Sequence, residues 1–397
     1  MIHTLHAFSK TPIYVLAIWL ALLLPGLSAW SQDPSFSQFY ANRVYLNPAF
    51  SGLDGGVAVS GAARLQWLAV DKGFKTYNAA VETQLPFWRV GLGLHLLHNQ
   101  EGHAALNTTQ AGVTFSYTIP GEKNNLHFGF EGRVTQKSID WSKLVFSDQL
   151  DPVYGVVNPT AATPVMDQIT FGDLDFGIVW RNEGQLKLGR RGVRQVRSHL
   201  GMSFHHLPHL VSKSAQGNDS FLNTDSKVAP RTTIHGGMII PMKFYDGTGK
   251  RLALSPNFKL DMQGYSFMNF KENVTVGTFG LYGLVSNFYL GVFYQNKFGA
   301  PHPIHTDAII LTFGGYTNGS GRAANSSQQP RLFFGISADM NTTGVGPAAG
   351  SVVEATFRYI FTGDGGLRGS GPNGSKRSRM HHRNRSNKRV LDCKDFF

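Results

Sequence analysis

The chain has 397 residues and a formal net charge of +12, with 16% charged residues, 42% hydrophobic residues, 45 glycines and 29 phenylalanines. The length allows two domains, although one large closed sheet can take up as many residues. A single cysteine, Cys393, excludes an internal disulfide. No run of 18 apolar residues follows residue 30, which excludes ordinary transmembrane helices in the rest of the chain.

The first 31 residues have the layout of a secretory signal sequence. A basic residue precedes the apolar run of residues 13–27, and small residues follow this run. We therefore expect cleavage after Ser31, which leaves Gln32 as the mature N-terminus. An uncleaved membrane anchor is the alternative, and it is disfavoured because Pro25 and Gly26 end the apolar run early.

The segment of residues 32–54 comes next, and it is short of charge and dense in aromatic residues. Turn formers stand at Asn47-Pro48 and at Ser51-Gly52. The segment has neither a clean helical period nor a period of two. Since it is too apolar for a free tail, we predict that it is extended and packs on or inside the structure that follows.

From residue 55 the sequence falls into segments of about ten residues with alternating apolar and polar side chains, as in tilted strands that cross a bilayer. We expect strands near 56–68, 74–85, 89–99, 108–119, 126–138, 170–182, 197–205, 231–242, 251–262, 273–282, 286–296, 307–316, 331–340 and 350–361. A period of two favours strands over helices. The predicted fold class is therefore all-β, a transmembrane antiparallel β-barrel of about 14 strands over residues 55–362.

The predicted connections differ in length between the two ends of the barrel. With both termini in the periplasm, the connections on that side are mostly short, although those at 183–196 and 317–330 are longer. The opposite side has the two longest connections, 139–169 and 206–230. Short periplasmic turns and long external loops are typical of outer-membrane barrels, so we predict that location and that orientation.

Several polar side chains share one face of the predicted strands, namely Arg64, Gln66, Glu131, Arg133, Glu354 and Arg358. An Arg or Lys on the lipid face near the middle of a bilayer costs about 2–4 kcal/mol, so we expect these side chains to point into the lumen. Pairing across the interior is their expected role, and a selectivity filter is the alternative.

The chain continues past the last predicted strand into a Gly-rich linker at 363–374 and a basic run at 375–389. Nine basic and three acidic residues give residues 363–397 a charge of +6, half of the total. We predict that this tail is disordered. Attraction to anionic cell-wall or lipid groups, or to an acidic partner, is its functional interpretation, and a solvated extension is the plainer one. An exported chain meets no nucleic acid.

The sequence lacks the usual catalytic motifs, so we predict no enzyme activity, no cofactor and no metal. His205, His206 and His209 form the densest histidine group outside the tail. They have no acidic or sulfur residue nearby in sequence, which favours a surface loop over a metal site. Calcium is disfavoured in the same way, because the aspartates around the long fifth connection lack EF-hand spacing: Asp148, Asp151, Asp167, Asp173 and Asp175.

The opening QDPSFSQF at 32–39, followed by YLNPAFSG at 45–52, resembles the mature N-terminus of the PorP/SprF family of type IX secretion proteins. Further pieces are similar to family segments in the same order: RLQW at 64–67, KT at 75–76, VGLGL at 90–94, LSP at 254–256, FYLG at 288–291 and the closing strand at 353–361. The basic tail departs from the family pattern, in which the chain ends close to the last strand.

The resemblance implies an outer-membrane barrel that supports secretion or surface assembly of cargo such as gliding adhesins. The implied partners are periplasmic and outer-membrane subunits of the secretion system, the cargo and outer-membrane lipid. A diffusion channel or a transporter of hydrophobic solutes is the alternative function. The family motif assigns six residues to partner binding or to packing in the barrel: Phe36, Gln38, Tyr45, Asn47, Pro48 and Phe50.

Overall fold

The computed structural model describes residues 33–54, 56–102, 106–161, 165–188, 192–208, 221, 228–242, 252–264, 274–285, 287–298, 305–318, 330–342 and 350–361. The predicted signal sequence, the Gly-rich linker, the basic tail, His209 and Cys393 lie outside these residues. Sixteen strands are described: β1 (Val57–Gln66), β2 (Phe74–Leu85), β3 (Val90–Glu101), β4 (Leu106–Pro120), β5 (Asn124–Ser138), β6 (Leu150–Asp151), β7 (Gly155–Val156), β8 (Gln168–Leu188), β9 (Gly192–His205), β10 (Arg231–Met242), β11 (Leu252–Gln263), β12 (Val274–Val285), β13 (Phe288–Phe298), β14 (His305–Asn318), β15 (Pro330–Asn341) and β16 (Val352–Phe361).

All strands except β6 and β7 form one closed antiparallel barrel, which confirms the predicted fold class. Each barrel strand pairs with its neighbours in chain order, and β1 closes the sheet against β16 with Val57 opposite Phe361. Strands β6 and β7 form a separate two-stranded hairpin. The described helical elements include the α-helix Arg43–Leu46 and the 3₁₀ turns Pro48–Phe50, Trp141–Lys143 and Ser147–Gln149. None of the described helices is both long and apolar enough to span a membrane.

The alternation of side chains produces two unlike faces on the barrel wall. In β3, Leu92, Leu94 and Leu96 are exposed on the outside, whereas His95 is buried on the inside. Most of the other strands repeat this pattern, so the outer surface is largely apolar, and the inner surface is largely polar apart from an apolar cluster that includes Tyr282 and Phe293. Such a wall suits lipid on one side only.

The two ends of the barrel differ. We call the end where β1 begins and β16 ends the short-turn end, because the turns at 86–89 and 121–123 also lie there. The opposite end carries the long connection at 139–167 and is called the loop end. This connection contains the β6–β7 hairpin and two 3₁₀ turns, so it has regular structure of its own.

One predicted connection is wrong. The sequence predicts a long turn at 183–196, but β8 and β9 continue pairing until Leu188 lies opposite Gly192. The polar residues in this stretch hide the period of two. The two strands still pair there, because the backbone hydrogen bonds that join them do not depend on apolar side chains. The connection between β14 and β15, at 319–329, lies outside the described residues.

Candidate functional site: a filled lumen

Residues 33–54, which we call the plug, lie inside the barrel. Every residue of the plug from Phe36 to Asp54 is buried. Its first residue, Asp33, donates its backbone N–H to Gln263, at the loop end of β11. Its last residue, Asp54, contacts Arg358 near the short-turn end of β16. The plug therefore crosses the lumen from one end of the barrel to the other.

Asn47 shapes the plug and also joins it to the wall. Its side-chain oxygen accepts from the backbone N of Ala49 at 2.9 Å, which caps the turn Pro48–Phe50. Its amide nitrogen lies 3.2 Å from the carbonyl oxygen of Ile178 in β8 and 3.1 Å from that of Met202 in β9. A single side chain thus satisfies backbone groups on both sides of the contact.

Glycines in the wall allow the plug backbone to come close. A Cβ atom at Gly129 would lie 2.1 Å from the backbone N of Ala49, and one at Gly177 would lie 1.9 Å from Asn47 Oδ1. At Gly91 the nearest atom would be the carbonyl oxygen of Ser51, at 2.0 Å. These three strands therefore need glycine where the plug passes them.

An aromatic cluster holds the middle of the plug against β12 and β13. The Tyr40 ring packs edge-on against Tyr282, with ring centroids 4.6 Å apart, and stacks on Phe293 at 6.2 Å. Phe39 packs edge-on against Phe293 at 5.9 Å. These rings are buried and belong to one apolar cluster that includes plug and wall residues. Such pairs contribute about 0.5–1.5 kcal/mol each beyond their buried area.

A first charge cluster ties the end of the plug to β16 and β2. The Asp54 carboxylate accepts from Arg43 Nη2 at 2.7 Å and from Arg358 Nε at 2.8 Å. Arg358 also pairs with Glu82, which accepts from the backbone N of Gly52 at 2.6 Å. Burial raises the pKa of Asp54, but the two guanidinium groups outweigh burial and lower the pKa to about 2. Asp54 therefore stays ionised.

A second charge cluster lies at the loop-end half of β16. Glu354 accepts from the backbone N of Ser37 at 2.7 Å and from that of Gln38 at 3.0 Å. Arg64 Nη1 lies 3.2 Å from Glu354 Oε2 and 3.0 Å from Asp339 Oδ2. The wall carboxylate thus satisfies two plug N–H groups and is itself balanced by a wall arginine.

A third charge cluster surrounds the first residue of the plug. The Asp33 carboxylate lies 3.0 Å from His206 Nε2 and 3.1 Å from Arg231 Nη1. Burial raises the pKa of Asp33, but His206 and Arg231 outweigh burial and hold the pKa well below its usual value. The other ring nitrogen of His206 contacts Asp173. The start of the plug is therefore fixed by charged groups of the loop end.

The prediction that His205 and His206 lie in a surface loop is wrong, because both side chains are buried. Folding brings Asp175 Oδ2 to 2.9 Å from His205 Nδ1 and places Asp173 against His206, because these aspartates lie on the inner face of the neighbouring strand β8. Arg133 Nη2 lies 3.0 Å from Asp173 and balances its charge. Among the described residues, no group of His, Cys, Asp and Glu is arranged to hold a metal ion.

The predicted site residues are distributed as follows. All six motif residues of the plug are buried inside the barrel: Phe36, Gln38, Tyr45, Asn47, Pro48 and Phe50. Five of the six polar residues assigned to the lumen are buried on the inner face, namely Arg64, Glu131, Arg133, Glu354 and Arg358. Gln66, near the loop end of β1, is half-buried. Asp148 and Asp151 lie in the long connection and are apart from the lumen clusters.

Sequence reasoning missed several members of the charge clusters. Glu82 lies on the inner face of β2, where the period of two was a usable signal. Asp173 and Asp175 are two residues apart on β8 and share the same signal, although the sequence presents them only as candidate calcium ligands. Asp33 and Asp54 lie in the irregular plug, where no period indicates which side chains meet the wall.

The chain is similar to known proteins in sequence and in fold. Residues 28–359 match the family model described as "Type IX secretion system membrane protein PorP/SprF". A comparison with curated proteins finds no match. CdiB from Acinetobacter baumannii has a similar structure, with 10% identity and a TM-score of 0.37, over 77% of this chain and 60% of CdiB, so the chain spans less than two thirds of that protein.

Two further solved structures are similar over most of their own length. The toluene transporter TodX from Pseudomonas putida is 10% identical, with a TM-score of 0.37, over 83% of this chain and 98% of TodX. The outer membrane protein Omp33 from Acinetobacter baumannii is 8% identical, with a TM-score of 0.34, over 78% of this chain and all of Omp33 (100%). At these scores the likenesses carry no argument about function.

Proposed function

This chain belongs to the PorP/SprF family of type IX secretion system membrane proteins, and we propose that it is a non-enzymatic accessory or scaffold of type IX secretion in the outer membrane. In this role it supports the secretion or surface assembly of cargo proteins such as gliding adhesins. Its partners are the cargo and the periplasmic and outer-membrane subunits of the system. A leader of residues 1–31 is removed on export.

The filled lumen is the observation that supports a scaffold over a diffusion channel. A channel needs a continuous water path, whereas the described lumen holds the plug, whose residues 36–54 are all buried. The plug is joined to the wall by ion pairs, hydrogen bonds and aromatic contacts at several heights. Opening a path would expose many charged groups at once, so the plug favours a closed barrel that presents surfaces to partners.

Two measurements test this proposal. Purified protein in planar lipid bilayers is expected to give no large steady current, and such a current would overturn the scaffold role in favour of a channel. In cells, deletion of the gene is expected to remove one or a few large proteins from the surface, measured by mass spectrometry of peptides shaved from intact cells. Uptake of small solutes is expected to stay unchanged, and normal display of every surface protein would contradict the proposal.

We further propose that the short-turn end faces the periplasm, because long loops face outward in outer-membrane barrels. Asp33 then lies at the cell surface and Phe361 at the periplasmic side. This differs from the sequence-based expectation of two periplasmic termini, since the plug crosses the lumen before β1 begins. We still propose that the C-terminus lies in the periplasm.

Cysteine labelling tests the orientation. Ser35 is exposed at the outer end of the plug, Ser37 is buried two residues later, and Phe87 is exposed in a turn of the short-turn end. With Cys393→Ser as background, a membrane-impermeant maleimide added to intact cells should label Ser35→Cys and spare Ser37→Cys. It should label Phe87→Cys only after the outer membrane is permeabilised. The reverse pattern for Ser35→Cys and Phe87→Cys would show the opposite orientation.

A further inference from the structure

The connection at 139–167 carries a small hairpin at the loop end. Strand β6 (Leu150–Asp151) pairs with β7 (Gly155–Val156), and Val153 and Tyr154 lie in the turn between them. Among the described residues, neither strand pairs with any third strand. The backbone edges of this hairpin are therefore not used by the barrel.

Hydrogen bonds within the connection fix the shape of the hairpin. Asp151 Oδ1 accepts from the backbone N of Val153 at 2.8 Å and from that of Tyr154 at 2.9 Å, which closes the turn. Asp148 Oδ2 accepts from the backbone N of Ala161 at 2.6 Å and brings the two sides of the connection together. A surface that is ordered before it binds loses less conformational entropy on binding.

The hairpin presents apolar side chains to solvent. Val153 is 80% exposed and Tyr154 is 78% exposed, the highest values among the large apolar side chains of the connection. Further members of the patch are also exposed, namely Val145, Leu150, Val156 and Val157. Lipid explains exposed apolar residues on the barrel wall, but this connection lies beyond the strand ends at Ser138 and Gln168. An ordered apolar patch of this kind marks an interaction site.

Charge and backbone chemistry favour a protein segment over lipid as the occupant. The connection contains Asp140, Asp148, Asp151 and Asp167 against Lys143, four acidic groups against one basic group. Anionic lipid headgroups would be repelled by this charge. Acyl chains cannot hydrogen-bond to the open edges of a hairpin, whereas an extended peptide can.

We propose that the hairpin binds an extended, apolar segment of the secreted cargo by strand addition, with basic residues of the cargo beside the patch. The backbone of the cargo pairs with an edge of the hairpin, and Val153 and Tyr154 are the side-chain anchors. Tyrosine is frequent among residues that dominate binding energy because it buries a large rigid area and keeps a polar end. This inference rests on the proposed secretion role and names the surface through which the barrel holds its cargo.

The test uses the full-length protein expressed in the deletion strain. The double substitution Val153→Ser and Tyr154→Ser keeps the backbone N–H groups that Asp151 binds. We expect surface cargo to fall on the order of tenfold, the size expected when an anchor of a binding site is lost. The matched control is Asn158→Ala, an exposed polar position of the same connection, which should leave cargo display unchanged. Heat-dependent gel mobility checks that each barrel is folded.

Crosslinking identifies the occupant. A photoreactive phenylalanine in place of Tyr154 is expected to crosslink, in intact cells, to the cargo whose display is lost in the deletion strain. Crosslinking to lipopolysaccharide alone would overturn the inference in favour of lipid. Normal cargo display by the double variant would also overturn it. The secretion role would survive that result as long as the deletion strain loses cargo, so the two proposals fail separately.

Discussion

The two faces of the barrel wall differ in the way they meet their surroundings. On the outer face, apolar side chains such as Leu94 and Leu290 are exposed, with 59% and 64% of their surface accessible. On the inner face, charged side chains such as Arg358 and Glu354 are almost completely buried. The outer face needs lipid as its solvent, whereas the charged groups of the inner face pair with the plug and with one another. Plug and wall therefore form one core.

Buried charges of this kind are maintained only while every partner is present. Removing one partner of a buried ion pair costs about 3–5 kcal/mol, because the remaining charge stays in a low-dielectric site. The outer face has no such dependence on particular partners, since lipid accepts any apolar side chain. Substitutions on the two faces should therefore differ in size and in cause.

The largest effect is expected for Asp54→Asn. This change leaves Arg43 and Arg358 without their shared carboxylate, and we expect the free energy of unfolding to fall by about 3–5 kcal/mol. The free energy of unfolding is measured by denaturant titration of protein folded into lipid vesicles, with tryptophan fluorescence as the signal. Asp140→Asn in the exposed connection is the control and should change stability by less than about 0.5 kcal/mol. If Asp54→Asn and Asp140→Asn reduced stability equally, the plug and the wall would not form one core.

The contribution of Asp54 also has a defined pH dependence. The folded pKa of Asp54 is lowered to about 2, so its stabilising effect is complete above the ordinary carboxyl pKa of about 4. It is lost as the pH falls through about 2. The stability difference between the native chain and Asp54→Asn should therefore be constant from neutral pH down to about pH 5 and should shrink below it.

On the outer face, Leu94→Arg is expected to cost about 2–4 kcal/mol, because the guanidinium is forced into the hydrocarbon part of the bilayer. Val57→Arg is the matched control, since Val57 is also exposed on the outer face but lies at the end of its strand. Near the interface the cost falls to about 0–1 kcal/mol. The same denaturant titration in vesicles compares the two variants. A larger cost for Val57→Arg would place the bilayer elsewhere along the wall.

The sequence predicted the wall better than its contents. A period of two is visible in most of the barrel strands because one face meets lipid, so the strand count and the inward residues Arg64 and Glu354 could be predicted. The partners of those residues could not be predicted. Gln38 meets Glu354 across a separation of 316 residues, and no local pattern encodes such a contact.

Substitution of a wall glycine that lies against the plug is expected to have the next largest effect on the free energy of unfolding. Gly129→Ala directs a methyl group at the backbone N of Ala49, 2.1 Å away, so the plug or the wall must shift. Overpacking of this kind costs about 1–3 kcal/mol. Gly172→Ala is the control, because a Cβ at Gly172 meets nothing within 4 Å. If both alanine variants had the same stability in the vesicle titration, the plug would not be packed against β5 as described.

The smallest effect is expected for Tyr45→Phe, which removes one hydroxyl group from the plug and keeps the ring contact with Phe36. Burial raises the pKa of Tyr45 to about 12, so the hydroxyl stays protonated and donates to the carbonyl oxygen of Pro34 while it accepts from Arg231 Nη1 at 2.9 Å. Loss of these bonds should cost about 1–2 kcal/mol.

The control for this last change lies on the outer face of the wall. Tyr117 is 42% exposed there, and Tyr117→Phe should leave the unfolding free energy unchanged within about 0.5 kcal/mol. The same change, removal of one hydroxyl group, is thus compared inside the lumen and on the outer face of the wall. If Tyr117→Phe were more destabilising than Tyr45→Phe, the polar contacts that stabilise the barrel would lie outside the lumen. The plug would then not contribute to the core.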